Sequence, residues 1–114
     1  MDSNRKKQLK EMYMNSKSTM GVYQIKNLVT QISYIGVTQD LKGTMNGNKF
    51  KLDTGNFKDK ELQQEWIKYG SDKFEVSILS ELDYEEDTTK TDYMEDLLVL
   101  RNMITEDITN KKYI

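Results

Sequence analysis

The sequence predicts an α+β fold: a small three-stranded antiparallel sheet flanked by helices, with one further helix at the N-terminus. Three observations carry this. Segments 20–26, 31–36 and 73–82 alternate in polarity with the two-residue period of strands. Segments 40–52, 60–69 and 92–107 repeat apolar residues at helical spacing. The order strand, strand, helix, helix, strand, helix leaves the helices to cover the sheet.

Length and composition bound the rest. The 114 residues suit one domain, and an apolar share of 36% allows a modest core. No apolar run approaches a membrane span, and none sits near Met1 as a signal segment. The chain has no cysteine and no histidine, which excludes disulfides, thiol catalysis and the commonest general base and transition-metal ligand. A metal here has to be a hard cation on oxygen ligands. These absences point to a cytoplasmic protein.

The net charge of -2 conceals an asymmetry. Residues 1–74 hold 13 basic and 8 acidic side chains, whereas residues 75–107 hold 2 and 11. A basic front half can face nucleic acid; the acidic half is a solvated face or a protein-docking one.

In chain order, residues 1–19 form a basic helix and connector, and 20–114 form the domain. Leu9, Met12 and Tyr13 fall at helical spacing behind Arg5, Lys6, Lys7 and Lys10. In the first hairpin Tyr23, Ile25 and Asn27 share one face of their strand, and Ile32, Tyr34 and Gly36 one face of the next. The link 27–30 is short enough for a hairpin but lacks the Asn-Gly signature. Asp40 caps a helix whose stripe is Leu41, Met45 and Leu52, weakened by Gly43 and Gly47. Asp59 caps the next, with Leu62, Trp66 and Tyr69 as its stripe and Gly70 as its stop. Phe74, Val76, Ile78 and Ser80 share a face of the third strand. An acidic loop, 81–90, leads to the last helix, with Leu97, Leu100, Ile104 and Ile108 buried and Met94 and Leu98 widening the stripe.

Gly21-Val22-Tyr23, a ten-residue gap and Tyr34-Ile35-Gly36 resemble the signature of the GIY-YIG nucleases. The likeness continues through Lys60–Gly70 and Phe74–Leu79. It implies the same fold and a site that cuts DNA phosphodiesters with a divalent metal such as Mg2+. In such a site a carboxylate holds the metal, an arginine stabilises developing phosphoryl charge, and tyrosines position or deprotonate water. Tyr23 and Tyr34 match the motif tyrosines. Thr44 stands at the arginine position, with Gly47 and Asn48 a turn further on, and Lys51 is a point-charge substitute on the same helix side. Matching Tyr113 to the family's terminal tyrosine puts Arg101 at the metal-binding glutamate, the favoured register because Arg101 flanks the apolar stripe between Leu97 and Ile104; matching forward from Phe74 puts Glu95 there.

Two functions follow from the resemblance. The first is a degenerate, catalytically inactive GIY-YIG-like domain without a cofactor. It would bind DNA through Lys6, Lys7, Lys42, Lys49 and Lys51, or a protein partner through the acidic segment 81–96. The alternative is an active endonuclease using Tyr23, Tyr34, Lys51 and Glu95 with Mg2+.

Overall fold

The computed structural model describes residues 18–114. The helix expected at 2–15, with Lys6 and Lys7, lies outside the described residues. In order come β1 (Met20–Asn27), β2 (Ser33–Thr38), α1 (Leu41–Asp53), α2 (Lys60–Tyr69), a 3-10 turn (Ser71–Lys73), β3 (Phe74–Leu82), α3 (Met94–Ile104) and β4 (Lys111–Tyr113).

Local chemistry fixes the ends of these elements. Asn27 builds the first turn without a glycine: its Oδ1 accepts from the amides of Val29 and Thr30, at 2.9 and 3.2 Å. Gln31 closes the turn at φ 67°. Asp40 Oδ1 accepts from Gly43 N and Asp59 Oδ1 from Leu62 N, so both expected caps form. Gly70 ends α2 at φ 89°.

The sheet has four strands rather than the expected three, in the order β3-β1-β2-β4. β1 pairs antiparallel with β2 and β3, while β4 runs parallel to β2. Lys-Lys-Tyr has no apolar alternation to announce a strand. The backbone recruits it, through Ser33 N to Asn110 O and Ile114 N to Ile35 O, both at 2.9 Å.

Two cores cover the two faces. Tyr23, Ile25 and Tyr34 pack with Leu41 and Leu52 of α1, Phe57, and Leu62 and Trp66 of α2. Met20 of β1 packs with Tyr93 and Leu97, flanked by Val37, Leu82 and Tyr84. Met20 alternates with Gly21, and Val37 with Gly36, so α3 lies on the face opposite α1 and α2.

Two expected stripes are only partly buried. On β3, Phe74 meets Trp66 at 4.8 Å between ring centroids, but Val76 and Ile78 are exposed because β3 is an edge strand beyond the helices. On α3, Leu97 is buried with Tyr93 and Thr105, while Met94, Leu98 and Ile104 are exposed and Leu100 and Ile108 half-buried. Among the described residues no helix is long and apolar enough to cross a membrane.

Candidate functional site

The hairpin register sets Tyr23 opposite Gly36 and Ile25 opposite Tyr34. Directly paired residues share a face, so both motif tyrosines lie on the α1–α2 side of the sheet. The motif glycines have packing reasons. A Cβ on Gly36 would lie 2.4 Å from Tyr23 Oη and 2.5 Å from its Cζ, so the Tyr23 ring crosses this glycine. A Cβ on Gly21 would lie 2.1 Å from the Ser80 carbonyl oxygen, beside the irregularity in β1–β3 pairing at Val22 and Tyr23.

Helix α1 brings Thr44 and Asn48, one turn apart, onto this face. Asn48 Nδ2 donates to Tyr23 Oη at 2.9 Å, with both residues buried. Thr44 Oγ1 and Thr38 Oγ1 share a hydrogen bond of 2.6 Å. Thr38 belongs to the same face of β2 as Tyr34 and Gly36. Around Tyr23 the site is thus a row of neutral hydroxyls and one amide. At the end of β2, Gln39 donates to Thr91 O and accepts from Tyr93 N, tying this corner to the start of α3.

Tyr34 has different company. Its hydroxyl is buried and makes no hydrogen bond of good geometry among the described residues, but the Glu65 carboxylate faces it. Burial pushes its pKa up strongly, and the carboxylate of Glu65, then those of Glu61 and Asp59, push it the same way. Lys112 pairs with Glu61 and lies 4.0 Å from Asp59. Asn27 Nδ2 donates to Glu65 Oε2 at 3.4 Å. Burial also raises the pKa of Tyr23, against a lowering by the Asn48 hydrogen bond.

Both phenols therefore stay neutral at physiological pH. They can hold a hydrogen bond but are poor bases. A phenol whose folded pKa is raised above the unfolded value of about 10 contributes stability below that pH and loses it as pH climbs. Alkaline unfolding should therefore set in above about pH 10. In an ultraviolet phenolate titration, Tyr23 and Tyr34 should ionise only with unfolding. Tyr34→Phe should remove one of these late groups; free titration of both below the unfolding transition would contradict their burial.

The remaining sequence-derived candidates scatter. Lys42, Lys49 and Lys51 are exposed on α1. Lys51, seven residues after Thr44, lies on its side of the helix, while Lys42 and Lys49 take the other. Neither alignment of the metal-binding position reaches the tyrosines. The Arg101 guanidinium stacks 3.8 Å from the centroid of the Tyr113 ring and donates to Asn102. Tyr113 pairs with Ile35 and so belongs to the face opposite Tyr34. Glu95 is exposed in the first turn of α3, on that same opposite layer.

The residues present do not fit the family's divalent metal. Asn48, Thr38 and Thr44 supply no charged oxygen beside Tyr23. No group of three or more Asp or Glu converges as a metal cage among the described residues. Sequence reasoning missed the roles of Asn48, Thr38 and Glu65. The available signal was that Asn48 sits one turn after Thr44, inside an otherwise core-facing helix side.

No family model and no curated protein matches the chain. Solved structures do. The chain is similar to the catalytic domain of the homing endonuclease I-TevI, at 29% identity and a TM-score of 0.60, over 83% of this chain and 97% of that one. It is also similar to a glutamate-to-alanine mutant of the catalytic domain of intron endonuclease I-TevI, at 27% identity and a TM-score of 0.53, over 84% and 99%. In motif and in fold, the chain resembles the GIY-YIG endonucleases.

Proposed function

We propose that this is a GIY-YIG-like domain that no longer cuts and that acts by binding nucleic acid. The observation that carries the proposal is the Thr38–Thr44 hydroxyl pair. Where the resemblance places an arginine, the side chain is neutral, short and already satisfied inside the protein. Nothing there meets charge building on a phosphoryl group. The buried, neutral tyrosines fit the same reading, since they serve as framework for the hairpin and α1.

Retention of a binding surface is supported by Lys42 and Lys49, exposed on one side of α1, and by the endonuclease identity of the structural neighbours. Binding should be electrostatic and weak. A gel-retardation series over salt should show affinity falling as salt rises, by counterion release. Lys42→Ala with Lys49→Ala should weaken binding to all duplex sequences alike and flatten the salt slope by about one for each phosphate no longer engaged. A complete lack of retardation at low salt would remove nucleic acid as the ligand.

A further inference from the structure

Among the described residues, helix α3 leaves one side open. Asp96, Val99, Leu100 and Met103 recur at i, i+3, i+4 and i+7, so they form one stripe. With Leu82, Asp83, Glu85 and Tyr93 they line a groove of about 400 Å³. Val99 and Met103 are 54% and 68% exposed, much for apolar side chains sharing one stripe. The rim is acidic: Lys90 bridges Glu85 and Asp96, leaving Asp83 and one further negative charge in excess.

We propose that this groove is the docking site of the chain's own residues 1–17. Three observations choose that occupant. First, the described chain starts beside the groove: Tyr84 Oη donates to Ser18 O at 2.6 Å, and the Tyr84 ring meets Tyr93, a groove residue, edge-on at 5.3 Å. Second, residues 1–17 carry five basic and two acidic side chains, complementary to the rim. Third, the sequence spaces Leu9, Met12 and Tyr13 as one helix face would, among Arg5, Lys6, Lys7 and Lys10, the pattern of an apolar stripe with a basic border. Seventeen residues as a helix reach about 25 Å, more than the length of α3. Docking leaves the basic residues beside α3 rather than on the α1 face, and it requires no nucleic acid.

The absence of cysteine makes the test direct. Ser3→Cys in the full chain takes a single nitroxide label far from the Ser18 anchor. The label should broaden the methyl signals of Val99 and Leu100 in dilute protein. The broadening should disappear in Asp83→Lys with Met103→Lys, two exposed positions whose change leaves the fold intact. It should also weaken in about 1 M salt, where the Debye length is ~3 Å. Unbroadened groove methyls, or broadening on α1 instead, would overturn the proposal. So would broadening seen only between labelled and isotope-enriched copies, which makes the groove a contact between two chains. The double variant must keep its methyl spectrum elsewhere; if it does so and stays broadened, charge and the apolar stripe do not hold the segment.

Discussion

Supercoiled plasmid should stay supercoiled with this protein and Mg2+ or Mn2+. The expected loss is compound. A missing cationic donor on the phosphoryl oxygens costs about 100- to 1000-fold. A missing general base costs a further ~100- to 10,000-fold, and both tyrosines are held protonated by burial. Glu65, Glu61 and Asp59, offset only in part by Lys112, leave net negative charge beside Tyr34, which disfavours a phosphate there. Thr44→Arg should not restore cutting, since it breaks the bond to Thr38 without supplying a metal ligand. Adding Arg101→Glu should not rescue it either. Arg101 lies against Tyr113 on the opposite face, so a carboxylate there cannot work with Tyr23 and Tyr34. Robust nicking by the unmodified protein, abolished by Tyr34→Phe or Glu95→Ala, would instead identify a divergent working site.

The parts of this molecule that were legible in its sequence are those where period and punctuation agree. The β1–β2 hairpin, the Asp40 and Asp59 caps and the Gly70 stop each combine a side-chain pattern with a local hydrogen bond. The two tyrosines followed, because alternate residues on paired strands must share a face. The last helix was not legible in the same way. Residues 97–100 and 103–104 of α3 are all apolar, so no single stripe is marked, and its orientation is decided by Tyr93 and Leu97 packing under Met20. That is why neither Arg101 nor Glu95 could be placed by spacing. β4 was hidden because backbone pairing holds it, and Glu65 because only the tertiary packing of α2 brings its carboxylate to Tyr34.

The glycines should give the largest stability effects. Gly21→Ala sets a Cβ 2.1 Å from the Ser80 carbonyl oxygen and 2.9 Å from Glu81 Cα, both backbone atoms. No rotamer change relieves that clash, so β3 must shift away from β1, where the pairing is already irregular. Overpacking typically costs about 1–3 kcal/mol, and a clash with paired backbone belongs at or above the top of that range. In a domain of this size the midpoint of thermal unfolding should fall by on the order of 10 °C or more. Gly36→Ala should cost somewhat less, about 2–3 kcal/mol, because a side chain is what obstructs it. Tyr23 must swing from its place over β2, and the Asn48 hydrogen bond goes with it. Combining Gly36→Ala with Tyr23→Ala should therefore cost less than the two single effects added, since the obstructing ring is gone. Gly47→Ala is the control inside α1: its Cβ meets nothing within 4 Å among the described residues, and the change should stabilise by about 0.5–1 kcal/mol. Chemical denaturation of these variants reads the whole series. A Gly21→Ala protein as stable as the parent would mean that β1 and β3 do not approach as closely as Ser80 and Gly21 require.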